Sequence, residues 1–323
     1  MISDLDAPIV DVIIAAWNRS DTIERAVQSA LAQDRVNVVI VIDDGSTDDT
    51  AAKASRCDPH GSRVLVRRLQ SNVGPAAARN AAIELSQAPW LAILDGDDFF
   101  LPERIETLLS NSDGWDLIAD TLVHVSEHRA LDLQATAILT RTELPHSVLT
   151  FETFVLGDLN RRGAYRKELG FLKPLIRRSF LDRHELRYDE SLRLGEDYAL
   201  YARALLAGAR FLLLPAAGYV SVERAGSMSV HHTKRDLERL RENDCNLMKS
   251  TNLRQEERRA LARHYASVDC RVQWIAVVEA IKARSIRQFV TTFFRSNTVM
   301  MCLLGKFIDE ARIRLKRRLL IFN

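Results

Sequence analysis

The chain is expected to form an α/β fold, with a parallel-rich sheet flanked by helices and a C-terminal helical extension. Three observations lead there. Short β-branched runs alternate four times with helical patterns between residues 9 and 95, and such alternation with short connections is the mark of a parallel sheet covered on its faces. Polar residues cluster at the ends of these runs. After Leu237 the strand patterns cease and only helical periodicity remains.

Taken in order, "IVDVIIAA" at 9–16 reads as the first buried strand. The following "NRSDTIERAVQSALAQ" sets Ile23, Ala26, Val27, Ala30 and Leu31 at helical spacing, with Ser20 or Asp21 as the N-cap. "VNVVIVI" at 36–42 is the second strand. It runs into "DDGSTDDT", where Ser46 or Thr47 caps the next helix and Asp48 and Asp49 are its first-turn acids. "RVLVRRL" at 63–69, "GPAAARNAAIEL" and "WLAILD" at 90–95 read as strand, helix and strand. "WDLIADTLVHV" is a further strand, residues 140–190 are rich in loops, and "EDYALYARALLAGA" is a helix ended by Gly208. Helical segments are expected near 235–250, 254–282 and 285–320, so the expected division is a domain over 1–232 and a helical region over 233–323.

The 323 residues, 47% hydrophobic and 27% charged, have the composition of an ordinary soluble globular protein with a substantial core. A formal net charge of +2 gives no reason to expect nucleic acid as a partner. Cys57, Cys245, Cys270 and Cys302 are far apart with no CxxC pair, so reduced packing cysteines are expected. The first residues lack the basic start and cleavage site of a signal peptide, and nowhere do 18 apolar residues run together. A cytoplasmic protein is expected, with peripheral attachment to the inner face of the cytoplasmic membrane left open.

Ligands of open parallel sheets bind beyond the carboxyl ends of the strands. The polar residues at those ends are Trp17 and Asn18, Asp43 and Asp44, Asn72, and Asp95 to Asp98. "LAILDGDDFF" releases an apolar strand into three carboxylates, whose mutual repulsion is costly without a cation. Asp95 and Asp97, two apart with Gly96 between them, can converge on Mg2+ or Mn2+, whose other positions take water and phosphate oxygens. The competing reading is a helix start, strongest for Asp98. Asp43 and Asp44 can accept hydrogen bonds from a nucleobase or ribose. Glu196 and Asp197, taken alone, are first-turn acids.

"VDVIIAAWNRSDTIERAVQSALAQ", "VVIVIDDGSTDDT", "NVGPAAARNAAIELSQAPWLAILDGDDFFLPERI" and "LRLGEDYALYARAL" together resemble the inverting family 2 glycosyltransferases, over roughly residues 8–230. That resemblance implies the GT-A fold, a Rossmann-like sheet, and a nucleotide-sugar donor, usually a UDP-sugar. By position, Asp43 and Asp44 match uridine contacts, and Asn18 lies in the loop packed over the base. Arg79 and Asn80 match a segment beside the nucleotide. Asp95 and Asp97 match the DxD motif, with Asp97 the direct metal ligand. Asp197 matches the catalytic base, and Glu196 beside it an acceptor or sugar contact. Trp17 stands where the family more often has a smaller aromatic. His231 and His232 follow "GSMSV" and read as a polar surface pair. "LIRRSFLDRHELRYDESLRLGEDY" and "GSMS" resemble the bacterial exopolysaccharide branch of succinoglycan type. That branch implies transfer of glucose from UDP-glucose to a polyprenyl-diphosphate-linked oligosaccharide.

The last segment, "GKFIDEARIRLKRRLLIFN", puts Phe307, Ile308, Ala311, Leu315 and Leu319 near one side of a basic helix. It reads equally as an anchor on anionic lipid or as a helix docked on the body. Three alternatives to glycosyl transfer stand beside it. A haloacid-dehalogenase-like phosphatase, suggested by "LDGDD", would need its nucleophilic Asp on the first strand, whereas this motif ends the fourth. A sugar-phosphate nucleotidyltransferase would open with a glycine-rich phosphate loop, which is absent after "DVIIAAWN". A non-catalytic nucleotide-sugar-binding subunit would have no need of Asp95, Asp97 and Asp197 together.

Overall fold

The first strand, β1 (Val10–Ala16), is buried almost throughout, as its apolar run requires. The structure, a computed structural model, describes residues 9–127, 146–159, 169–224, 232–250 and 252–321, with side chains as far as Arg312. It falls into two compact units, one drawn from Met1–Gly157 and Lys167–Val230, the other from Asp158–Arg166 and His231–Asn323.

In the first unit β1 lies between β2 (Val36–Asp43) and β4 (Trp90–Asp95), parallel to both, and β2 pairs in turn with β3 (Val64–Arg68). Helices α1 (Ile23–Leu31), α2 (Thr50–Arg56) and α3 (Pro75–Leu85) are the connections. Beyond β4 the sheet continues through β9 (Leu175–Arg177), β6 (Leu117–Asp120), β10 (Phe211–Leu214) and β8 (Ser147–Leu149), giving the order β3-β2-β1-β4-β9-β6-β10-β8. β9 is antiparallel to both of its neighbours. A small sheet of β5 (Phe99–Phe100), β11 (Tyr219–Glu223) and β7 (Val123–Ser126) completes the strands. The run expected as one strand over 115–125 is therefore two, β6 and β7, in different sheets. The break follows Asp120, whose Oδ2 accepts the N–H groups of Ala217, Gly218 and Tyr219.

Helices α4 (Arg104–Leu109), α5 (Phe151–Gly157), α6 (Arg178–Arg183) and α7 (Glu196–Leu206) belong to the same unit. α7 ends as expected: Gly208 takes φ +92° and the Ala209 N–H donates to Ala204 O. The expected caps fare differently. Thr22, not Ser20 or Asp21, precedes α1, and its hydroxyl donates to Gly96 O at 2.8 Å. Asp49, not Ser46 or Thr47, precedes α2, while Asp48 Oδ1 accepts from the Thr50 N–H. The expected capping side chains are committed elsewhere: Ser46 Oγ accepts the Asn18 N–H, the Thr47 hydroxyl donates to Asn18 Oδ1, and Asp21 pairs with Arg224. Asp98 does not open a helix. It is buried and accepts from the Tyr219 hydroxyl and the Val222 N–H, tying the end of β4 to β11.

The second unit holds α8 (Lys234–Met248), α9 (Gln255–Lys282), α10 (Ile286–Phe293) and α11 (Asn297–Ile321). The single helix expected over 285–320 is two, broken after Phe293. α9 and α11 share a core of Val277, Val299 and Leu303, flanked by Trp274 and Phe307. That packing brings Cys270 and Cys302 to a Cα separation of 6.2 Å, and they are joined as a disulfide. Reduced packing cysteines were expected for all four; only Cys57 and Cys245 are free. Helix packing, not sequence spacing, makes the pair. Buried His264 bonds Asp244 at 2.7 Å and Asp158 at 3.4 Å.

Candidate functional site

β1 is the point where strand order reverses, so the strand ends on its two sides open a crevice of the kind that takes ligands in open α/β sheets. The register sets who meets there. Ala16 lies opposite Asp43 of β2 and Ala15 opposite Asp95 of β4, which brings two carboxylates to either side of one strand end.

On the β2 side the groups are held by backbone amides. Asp44 accepts the N–H groups of Val73 and Gly74 at 2.7 and 2.9 Å, fixing the turn into α3. Asp43 Oδ1 accepts the Ser46 N–H, while Oδ2 is buried, makes no hydrogen bond and lies 3.4 Å from Arg68 Nε. Gly45 between Ser46 and Asp44 has φ +70°, and a Cβ there would come within 2.6 Å of Ser71 backbone, so this turn requires glycine. Asn18, at φ +51°, donates its N–H to Ser46 Oγ and accepts the Thr47 N–H at Oδ1, which clamps the two loops together. Trp17 beside it is 40% exposed. Asn80 faces elsewhere. Its amide group bonds the Tyr188 backbone on both sides and Glu190, so it holds the loop before α7 and not the crevice.

On the β4 side the groups are held by charge. Arg79 of α3 reaches Asp95 Oδ1 at 2.7 Å, Glu196 Oε1 at 2.8 Å and Asp197 Oδ1 at 3.4 Å. Lys173 reaches Asp95 Oδ2 at 2.9 Å and Asp197 Oδ2 at 2.6 Å. Two buried cations therefore bridge the end of β4 to the start of α7. Burial pushes the Asp95 carboxyl up, but Lys173 and Arg79 outweigh it and hold it well below the ordinary carboxylate value. Burial lowers Lys173, and Asp197 and Asp95 more than reverse that. Glu196 goes the other way: burial, then the charge of Asp197, raises it. Asp97 lies in the turn past β4, with Oδ2 3.2 Å from Arg19 Nε, and its carboxyl is raised by burial and by Asp95 despite Arg19. Gly96 serves packing, since a Cβ there would meet Ala16 Cβ at 3.2 Å.

Strand ends and the α7 start thus bring together Asp43, Asp44, Arg79, Asp95, Asp97, Glu196 and Asp197. Lys173 and Arg19 join them without having been expected. A signal for Lys173 existed: it is the one charge inside "GFLKPLI", and a charge carried into an apolar strand has to meet partners. His231, "GSMS" and residues 128–145 and 160–168 lie outside the described residues.

The donor chemistry of the acidic turn can be tested against a divalent cation. Both oxygens of Asp95 are occupied by Arg79 and Lys173, and among the described residues no three His, Cys, Asp or Glu side chains gather as a ligand set. Asp97 differs. Its charge is disfavoured by burial and by Asp95 and eased mainly by Arg19, which meets only Oδ2. A single strained carboxylate suits Mg2+ or Mn2+, which are bound through one or two carboxylates with phosphate and water completing the shell.

The chain is similar to known proteins. The model of the family described as Glycosyl transferase family 2 matches residues 11–159. The chain is 48% identical over 255 residues to the succinoglycan biosynthesis protein ExoU of Rhizobium meliloti, covering 79% of this chain and 74% of that protein. Among solved structures it is similar to S. aureus TarS 1–349 in complex with UDP-GlcNAc, with TM-score 0.56 and 17% identity over 89% of this chain and 91% of that one. It is similar also to the mannosyltransferase PcManGT of Pyrobaculum calidifontis in complex with GDP-Man and Mn2+, with TM-score 0.56 and 16% identity over 95% and 87% of the chains. At such identities the structures share the fold, which is GT-A.

Proposed function

The chain belongs to glycosyl transferase family 2, and on that premise we propose that it moves glucose from UDP-glucose, with inversion, onto a polyprenyl-diphosphate-linked oligosaccharide during assembly of a succinoglycan-type exopolysaccharide. The observation that carries the reading is the double cationic bridge from Asp95 to Asp197, because it sets a strand-end carboxylate and a helix-start carboxylate on one crevice. The name of ExoU supports the pathway, and the UDP-GlcNAc of TarS supports a uridine nucleotide.

The roles follow from the chemistry of each group. Asp43 Oδ2, a buried acceptor without a hydrogen bond, is matched to an N–H donor such as that of a uracil ring. Asp44 and Asn18 hold the loops that frame it. Asp97 is the ligand for Mg2+ or Mn2+, and Asp95 can join it only by releasing Lys173 or Arg79. The metal when bound neutralises charge on the diphosphate leaving group. Asp197 takes the proton of the acceptor hydroxyl as that oxygen attacks the anomeric carbon. Glu196, whose carboxyl is raised by burial and by the charge of Asp197, is suited to hydrogen-bond a sugar hydroxyl. Peripheral contact with the membrane is supported by exposed Met301, Leu304 and Ile308 along α11 and by the basic residues that follow. No helix among the described residues is long and apolar enough to cross a membrane.

A thermal-shift screen with Mn2+ tests the donor, since a ligand of the folded state raises the midpoint. UDP-glucose is expected to stabilise the protein more than GDP-mannose does, and Asp97→Asn to abolish the part of the shift that needs Mn2+. Equal shifts from both nucleotides would remove the uridine reading.

A further inference from the structure

Lys173 is buried, and the reason it sits where it does is topological. β9 is antiparallel to β4, with Leu175 opposite Ala92, so the residues that lead into β9 lie beside the carboxyl end of β4. Pro174 restricts the backbone of Lys173 to extended conformations. Its carbonyl accepts from Arg104 Nη2 at 2.7 Å, and Arg104 is itself fully buried against Asp120, Phe100 and Tyr219. The stem of Lys173 therefore starts from a fixed point.

From that point the ammonium makes its shorter contact with Asp197, 2.6 Å to Oδ2, and its longer one with Asp95. The other oxygen of Asp197 is held loosely, 3.4 Å from Arg79 Nη1 and 3.5 Å from the Tyr201 hydroxyl. A base has to present one oxygen to the acceptor hydroxyl within hydrogen-bond reach and keep it aimed there. We propose that Lys173 is a positioning residue that clamps Oδ2 of Asp197 and so leaves Oδ1 as the oxygen that receives the acceptor's proton. No bond to Lys173 forms or breaks. The proton passes from the hydroxyl to Oδ1, and the hydroxyl oxygen's electron pair goes to the anomeric carbon as the diphosphate departs. The inference rests on the reading of Asp197 as the base.

The test is a double-mutant cycle on the full chain with Mn2+, following UDP released from UDP-glucose and, separately, UDP binding by calorimetry. Lys173→Met is expected to lower kcat by about tenfold or more while the Kd for UDP changes less than about threefold. Lys173→Arg, which keeps a cation at Asp197, is expected to fall between Lys173→Met and the unsubstituted protein. In Asp197→Asn, adding Lys173→Met is expected to cost no more than about twofold further, since a residue that acts through another loses its effect when that other is gone. Should Lys173→Met lose its cooperative melt, Lys173→Gln takes its place with the same readouts. Unchanged kcat in the single variant, or a full additional loss in the double one, overturns the proposal. Full activity in Asp197→Asn overturns the base assignment and the proposal with it, and is told apart by the Asp197 variant alone.

Discussion

On one side of β1 the crevice is framed by Asp43 and Asp44, which are held by the backbone N–H groups of Ser46, Val73 and Gly74. On the other it is framed by Asp95, Glu196 and Asp197, which are held by the side chains of Arg79 and Lys173. The amide-held side is assembled from turns that follow neighbouring strands, and its groups need only the correct loop conformation. The charge-held side draws on α3, the lead into β9 and the start of α7, and each of its carboxylates is paired with one or both of the two cations. A side held by separate amides is expected to tolerate change by degrees, whereas one held by two shared buried cations is expected to fail as a unit.

The hardest test of the contrast is Asp197→Asn, which is expected to reduce UDP release from UDP-glucose by about 10²- to 10⁴-fold, the usual worth of a proton-accepting group. UDP binding by calorimetry is expected to persist, because the proposed contacts of its base lie on the amide-held side and Asp97, not Asp197, is the proposed metal ligand. Arg79→Met comes next. Removing one partner from a buried ion network leaves uncompensated carboxylates, and a loss of about 3–5 kcal/mol is expected in urea unfolding. A loss below about 1 kcal/mol, the range of a surface pair, would show that the network is not cooperative.

The helical unit offers a second ion network for comparison. Burial lowers the His264 imidazole, but hydrogen bonds to Asp158 and Asp244 and their charges carry it up to about 9. A folded value raised above the unfolded one contributes stability that is complete below about pH 6.5 and lost as pH rises through about 9, by roughly 3 kcal/mol. Denaturant midpoints measured from pH 6 to 10 are expected to fall accordingly, and His264→Gln to flatten that part of the profile. The smallest effect is expected on the amide-held side. Asp44→Ala strands two N–H groups and should cost about 1–3 kcal/mol, with a weaker Kd for UDP but a kcat close to that of the unsubstituted protein.

Legibility divided along the same line. The four strands, α3 and the presence of Asp43 and Asp95 at strand ends could be read directly, because β-branched runs, helical spacing and a polar residue at a strand end are local signals. The four-motif resemblance placed Asp197 in the crevice although its own surroundings read only as a helix start. Caps at Ser20 and Ser46 were misread since the residues that satisfy those side chains come from 28 or more positions away, as with Ser46 and Asn18. The resemblance matched Asn80 to a segment beside the nucleotide, and its hydrogen-bond partners belong to the loop at Tyr188.

By itself, then, the chain order of apolar and polar residues determined that a parallel sheet forms, where its strands stop and which carboxylates stand at those stops. Only the tertiary structure decided how the carboxylates are made tolerable to one another. The insertion of antiparallel β9 beside β4, 80 and more positions along the chain, delivers Lys173 between Asp95 and Asp197, and the packing of α9 on α11 likewise pairs Cys270 with Cys302. Hydrophobic periodicity is a property of a short window, whereas the pairing of buried charges depends on which distant segments the sheet order makes neighbours.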